Sequence, residues 1–246
     1  NTDVTTRRKK LTIFFSDIKN FTDTSEKLQP EDLTKYLNEY FSEMTKIALD
    51  HGATIDKYIG DAVMLFFGDP TSKGEKDDAR ACVEMSLKMQ ERMIELNKKW
   101  KNEGFLNPFQ IRIGINTGFC NVGNFGSDQR LTYTIIGGEV NIAARLETAG
   151  DAGKILMSYE TYSHAKDMID AKELASIKMK GITREVKVFE VIGRKKSKIT
   201  EIKKIETKTS LSDEKINKIN KKIEAIDKQF SFLKKLIDDL NNEKLC

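Results

Sequence analysis

The run Ala53 to Phe67 limits the possible folds more than any other stretch. An apolar segment, Ala62 to Phe67, reads as a buried strand, and Ala53 to Lys57 reads as another before it. Only Tyr58-Ile59-Gly60 separates them, which predicts a tight hairpin with Gly60 supplying a backbone conformation that other residues resist. Asp61 then stands at a strand mouth, with Lys57 at the end of the opposing strand. On this stretch alone the two are either a surface ion pair across a turn or, for Asp61, a candidate metal ligand.

A second strand, Leu11 to Asp17, is apolar until it ends in an aspartate. It leads through Ile18 into a helix start with Thr22 or Thr24 as possible caps. Two strand-end carboxylates, Asp17 and Asp61, converge if their strands are neighbours. Such a pair can hold two divalent ions, which suits in-line displacement at phosphorus. The basic run Thr5 to Lys10 ahead of this strand reads as a solvated linker or a juxtamembrane segment.

Two long amphipathic helices follow this pattern. One opens at Pro30 and ends at Gly52, with its apolar stripe through Leu33, Leu37, Tyr40, Phe41, Met44 and Ile47. The other runs from Lys76 to about Glu103, and Cys82 and the methionines fall on its buried face. Further strands are expected at 109–118, 131–136, 154–157, 174–179 and 186–192, the first two linked by glycine-rich residues 119–126. The helix Glu139 to Glu147 places Asn141 and Arg145 on one face. That pair is either a solvated polar face or a clamp for a sugar and a phosphate oxygen. The pattern predicts a compact α+β domain with both long helices on one side of the sheet.

Composition narrows the function. With only His51 and His164, a histidine-rich metal site or a Ser-His-Asp arrangement has little material. Cys82, Cys120 and Cys246 have neither metal nor disulfide spacing, which suits a reducing cytoplasm. The net charge of +4 divides unevenly: from Arg194 onward the chain carries 15 Lys and Arg against 9 Asp and Glu, leaving the body near neutral. That excludes a nucleic-acid footprint on the domain. No apolar run approaches the roughly 18 to 20 residues that span a bilayer. The start at Asn1 leads us to expect an excised fragment, with any membrane link and the regulatory input upstream.

The tail differs from the body. Ile216, Ile219, Ile223, Ile226, Phe230, Leu233, Ile237 and Leu240 step three and four alternately, which predicts a coiled coil over 212–244 after a charged linker at 194–211. A parallel dimer is the simplest form, with trimers open.

Taken together, Phe14-Phe15-Ser16-Asp17-Ile18, Lys57-Tyr58-Ile59-Gly60-Asp61, Tyr133-Thr134-Ile135-Ile136-Gly137 and Asn141-Ile142-Ala143-Ala144-Arg145 resemble the class III nucleotidyl cyclase catalytic domain, over residues 7–193. The resemblance implies a ferredoxin-like βαββαβ core with extra elements. It also implies a head-to-tail homodimer whose two active sites are each built from both chains. In that family Asp17 and Asp61 match the ligands of two Mg²⁺ or Mn²⁺ ions, with the carbonyl of Ile18 as a further contact. Lys57 and Thr134 match the base-reading positions, Asn141 the residue that orients the ribose, and Arg145 the one that stabilises charge on the α-phosphate. Lys180, before Gly181, and Arg130 match phosphate-binding positions. The implied activity is an adenylate cyclase, a phosphorus–oxygen lyase converting ATP to 3′,5′-cyclic AMP and pyrophosphate; a guanylate cyclase and an inactive cyclase-like dimeric signalling module are the alternatives. Thr134 stands where many cyclases have Asp, as in a bacterial subgroup, whereas guanine readers carry Glu and Cys at the positions of Lys57 and Thr134. Gly138 also replaces a common Asp. Gly137-Gly138-Glu139 is not a diguanylate-cyclase hairpin, because Val140-Asn141 follow and a helix begins.

Overall fold

The computed structural model describes residues 6–127, 129–178, 184–195, 217–227 and 230–231. The chain divides into two compact units after Lys195. In the first, β1 (Thr6–Ile18), a short α1 (Phe21–Ser25), α2 (Pro30–Asp50), β2 (Thr54–Ile59), β3 (Ala62–Phe67) and α3 (Glu75–Asn102) precede the long β4 (Ile111–Ser127). Then come β5 (Arg130–Ile136), α4 (Gly138–Ala149), β6 (Ile155–Ser158), α5 (Tyr159–Ala165), β7 (Ile169–Ile177) and β8 (Val186–Arg194). The strands form one sheet in the order β2-β3-β1-β4-β6-β8-β7, with β5 paired to β4. The expected α+β cyclase-type fold is present.

Both long helices lie on one face, as expected. Tyr40, Met44, Cys82, Met85, Met89 and Trp100 form one cluster with Phe14, Ile18, Val63, Leu65 and Phe67. The alternate residues of the same strands, Leu11, Ile13, Phe15, Met64 and Phe66, face the other way and pack with Cys120, Val122, Ile135 and Ala143. With both faces covered, β1 and β3 read as continuous apolar runs rather than alternating ones.

Three local expectations are corrected. Thr6 to Lys10 is not a linker: it pairs with β4 from Thr6↔Gly123 to Lys10↔Phe119. Arg7 and Lys9 reach the buried carboxylate of Asp69 at 2.9 and 2.6 Å. The reason lies in the partner strand. Residues 119–126 continue β4 instead of breaking it, because the glycines let the ribbon curl without ending the ladder. Gly126, at φ 144°, is where a Cβ would lie 2.0 Å from the carbonyl oxygen of Arg130. At α1, neither Thr22 nor Thr24 caps; Asn20 holds the N-cap position in a left-handed conformation, and the Thr24 hydroxyl donates back to its carbonyl at 3.1 Å. The short α5 was not foreseen, although Ser158 marks its start by accepting the Thr161 N–H.

The placement of α4 is a matter of two glycines on β4. A Cβ at Gly114 would lie 2.1 Å from Glu147 N and 2.3 Å from Ala143 O, and one at Gly118 would lie 2.5 Å from Glu139 Cγ. The helix therefore sits directly on the strand, with Ile142 and Leu146 turned to Leu156, Val186 and Val188. In the second unit, 217–227 is helical; of the linker expected at 194–211, Arg194 ends β8 and residues 196–211 lie outside the described residues, as do four of the eight heptad positions, Ile216, Leu233, Ile237 and Leu240. No described helix is long and apolar enough to cross a membrane.

Gly114→Ala is expected to cost about 3 kcal/mol in urea unfolding, at the upper end for overpacking. Gly138→Ala, which meets nothing within 4 Å, is expected to be neutral or slightly stabilising. Equal effects at the two positions would contradict the account of how α4 is seated.

Candidate active site

The first group of site residues gathers where β1 ends and β3 begins. The hairpin between β2 and β3 turns at Gly60-Asp61, with Gly60 at φ 63°. The register Ser16↔Val63 brings Asp61 opposite Ile18, whose N–H donates to Asp61 Oδ2 at 3.0 Å. The Asp17 and Asp61 carboxyls are close enough for each to shift the ionisation of the other. Arg112, on β4, donates from Nη2 to Asp17 Oδ2 at 2.8 Å and from Nη1 to the Thr148 carbonyl at 2.9 Å. Its Nε faces Glu147 Oε1 at 2.5 Å, an ion pair without hydrogen-bond alignment.

These contacts set the protonation of the corner. Burial followed by the neighbouring Asp17 pushes the Asp61 carboxyl up to about 7. Burial also opposes ionisation of Asp17, but hydrogen bonds from Asp61 and Arg112 outweigh it and hold that carboxyl below its ordinary range. Glu147 is pushed up to about 7, by burial first, in spite of Arg112. Two convergent carboxyls, one of them held protonated by burial and by its neighbour, are a donor set that a divalent cation fits, since a cation replaces the proton and relieves the repulsion. Among the described residues no group of three His, Cys, Asp or Glu could hold an ion. An ion held here would take its remaining ligands from water and substrate phosphate, as Mg²⁺ commonly does.

The second group forms around a β-bulge. The β2–β3 register passes from Ile55↔Leu65 directly to Lys57↔Met64, so Asp56 is the extra residue. The bulge turns the Asp56 carboxylate inward, its side chain fully buried, while Lys57 stays 43% exposed. Asp56 Oδ2 accepts from the Thr134 hydroxyl at 2.6 Å and from the Ile135 N–H at 3.3 Å. Lys57 Nζ donates to Thr134 Oγ1 at 3.2 Å and lies 3.2 Å from Asp56 Oδ1. Lys57 and Thr134, 77 residues apart in sequence, are therefore brought together as expected. The surface pair of Lys57 with Asp61 does not form among the described residues.

Asn141 and Arg145 stand exposed on one face of α4, and neither makes a side-chain hydrogen bond or ion pair among the described residues. Arg130 is exposed at the start of β5, opposite Ser127. Lys180 lies outside the described residues. Clefts lined by His51, Thr54 and Lys73, and by Thr24, Lys27 and Leu106, contain none of these groups. Of the candidate residues, Lys57, Arg130, Asn141 and Arg145 are exposed, Asp17 and Asp61 are half-buried, and Thr134 is buried. Sequence reasoning missed Asp56, Arg112 and Glu147. Asp56 was visible beside Lys57, but a strand's alternation sends neighbours to opposite faces, and only the bulge puts both at Thr134.

The adenylate and guanylate cyclase catalytic domain family model matches residues 4–193. Adenylate cyclase 1 of Rhizobium meliloti is 34% identical over 188 residues, which is 76% of this chain and 28% of that protein. The terminal-differentiation-specific adenylate cyclase of Dictyostelium discoideum is 33% identical over 190 residues, 75% of this chain and 9% of that protein. The chain thus spans well under half the length of these relatives. Among solved structures, the adenylyl cyclase CyaB from P. aeruginosa superposes with a TM-score of 0.76 at 52% identity, covering 78% of this chain and 98% of that one. The guanylyl cyclase Cya2 gives 0.72 at 37% identity, covering 78% and 96%.

The raised Asp61 carboxyl makes a test. Because the Asp61 carboxyl is held up to about 7, its ionisation is opposed in the folded chain, and stability is lost as pH rises from about 4 through 7. In EDTA at pH 8, Asp61→Asn is expected to be the more stable by on the order of 1 kcal/mol, well below the full shift because the corner is half-open to solvent. At pH 4 the two chains should melt together. A difference of the same size at both pH values would contradict the upward shift of Asp61.

Proposed function

The chain belongs to the adenylate and guanylate cyclase catalytic domain family, and from that premise we propose that it is an adenylate cyclase converting ATP to 3′,5′-cyclic AMP and pyrophosphate. The observation that carries this reading is the Lys57–Thr134 pair, fixed at 3.2 Å. Lys57 offers a donor for adenine N1, and Thr134 Oγ1 stands ready for the exocyclic amine. Guanylyl cyclases among the matched structures make guanylate cyclase the rival; the family's guanine readers place Glu and Cys here, and this chain has Lys57 and Thr134.

Asp17 and Asp61, with the carbonyl of Ile18, would hold two Mg²⁺ or Mn²⁺ ions with the triphosphate. Bound there, the ions supply a lowered pKa for the 3′-hydroxyl and charge neutralisation at the phosphates. Asn141 orients the ribose so that the 3′-oxygen lies in line with the α-phosphorus. That oxygen loses its proton to solvent and bonds to the α-phosphorus as the bridge to the β-phosphate breaks, releasing pyrophosphate. Arg145 stabilises the charge that builds on the α-phosphoryl oxygens. Arg130 and Lys180 bind the leaving phosphates.

The site is completed by a second copy of the chain in head-to-tail contact. Two features support that arrangement. No hydrogen bond or ion pair among the described residues joins the Asp17–Asp61 corner to the Lys57–Thr134 pair, and Asn141 and Arg145 face outward without partners. Large apolar side chains, Phe119, Tyr133 and Ile136, are exposed along the β4–β5 ribbon, where a partner would cover them. A coiled coil through the tail would raise the local concentration of the two domains.

Arg145→Ala is expected to lower kcat for cyclic AMP formation by about 10²–10³, the scale for losing one transition-state donor, with no change in melting temperature. Asp17→Ala and Lys57→Ala chains, each inactive alone, should partly restore activity when mixed. An absence of rescue in samples that contain mixed dimers by mass spectrometry would argue against a shared site.

A further inference from the structure

Thr134 has one hydroxyl proton, and the structure shows where it goes. Asp56 is a carboxylate that can only accept, so the 2.6 Å contact is donated by Thr134 Oγ1 to Asp56 Oδ2. The Ile135 N–H, 3.3 Å from the same oxygen, fixes the carboxylate's orientation. The Thr134 oxygen is left with lone pairs alone. One accepts from Lys57 Nζ at 3.2 Å, and the other has no partner among the described residues, on a side chain that is 6% exposed. Asp56 is fully buried and its second oxygen, Oδ1, has no hydrogen-bond partner, facing Lys57 Nζ only as an ion pair at 3.2 Å. A buried carboxylate in that state is costly to keep unless it serves an arrangement of its neighbours.

We infer that Asp56 is a specificity-positioning residue: by taking the Thr134 proton it makes the base-reading hydroxyl an acceptor only, so that the site accepts a purine with a donor at C6 and repels one with an acceptor there. A free threonine hydroxyl rotates to suit either partner and would discriminate poorly. A hydroxyl locked by a buried carboxylate leaves two oxygen lone pairs facing each other when C6 carries an acceptor, and such a mismatch rejects by repulsion as well as by lost contact. The β-bulge at Asp56 is what makes this possible, since regular pairing would point Asp56 and Lys57 to opposite faces. The inference rests on the cyclase reading of the same site and adds the origin of its polarity.

The test uses two triphosphates of matched size that both keep N1 as an acceptor: N6-methyl-ATP, with a donor at C6, and the triphosphate of 6-methoxypurine riboside, with an acceptor there. For the whole chain, kcat/KM is expected to favour N6-methyl-ATP by about tenfold or more, mostly through KM. In Asp56→Ala the preference should fall several-fold towards equality. Asp56→Asn should keep most of it, because its amide oxygen, oriented by the Ile135 N–H, still accepts the Thr134 proton. Equal use of the two analogues by the unmodified chain would overturn the inference, as would a folded Asp56→Ala that retains the full preference. Should Asp56→Ala not fold, the analogue pair on the unmodified chain still decides, because an unlocked hydroxyl would donate to the methoxy oxygen and erase the difference. Failure to cyclise ATP at all would instead overturn the cyclase reading, so the two failures are distinguishable.

Discussion

The contact of α4 with β4 at Gly114 and Gly118 is the constraint on which the site depends. No side chain fits between helix and strand at Gly114, where a Cβ would lie 2.1 Å from a backbone nitrogen of the helix, and at Gly118 the space is taken by the Glu139 side chain. The helix is thereby held at a backbone-to-backbone separation that other residues would widen. Its outward face carries Asn141 and Arg145. Its C-terminal end brings Glu147 and the Thr148 carbonyl to Arg112, and through Arg112 to Asp17. Its N-terminal end is secured by Asn116, which donates from Nδ2 to the Glu139 carbonyl at 2.9 Å and to Glu139 Oε2 at 2.8 Å. One close contact therefore sets the positions of Asn141 and Arg145 and reaches the carboxylate corner through a single guanidinium.

Buried charge is distributed in a way that favours geometry over stability. Asp56, Asp69, Arg112 and Glu147 all have little or no exposed side chain, and each lies against an opposite charge. Pairs of this kind roughly break even against apolar packing, because desolvation offsets the attraction. What they do provide is direction. Asp69 ties the start of β1 to the loop after β3 through Arg7 and Lys9. Arg112 sets the orientation of Asp17, and Asp56 sets that of Thr134. The apolar clusters on the two faces of the sheet supply the stability that such arrangements draw on.

Much of this was legible in the sequence for reasons that can be named. Long periodic helices and apolar strands carry strong signals, so α2, α3, β1 and β3 could be read from their patterns. Asp17 and Asp61 could be paired because each sits at a strand end, where an exposed carboxylate stands out. The extent of β4 was hidden because glycines that curl a ribbon look the same in sequence as glycines that end one. The basic residues Arg7 to Lys10 looked like a solvated run because their partners, Asp69 for Arg7 and Lys9 and Glu75 for Lys10, lie 60 to 65 residues away. Asp56 was hidden by the bulge, and Arg112 by its position inside a regular alternating strand. Its role depends on the neighbouring strand and helix rather than on its own surroundings in the chain.

Whether this face reads adenine and directs cyclisation of ATP is decided by giving the chain ATP and GTP together at equal concentration, with Mg²⁺ or Mn²⁺, and quantifying both cyclic products in one reaction. Cyclic AMP is expected in large excess with either ion, with specific activity that rises with protein concentration as a second copy joins the first. Cyclic GMP as the main product, or no cyclic product from a chain that is folded and dimeric, would overturn the adenylate cyclase reading.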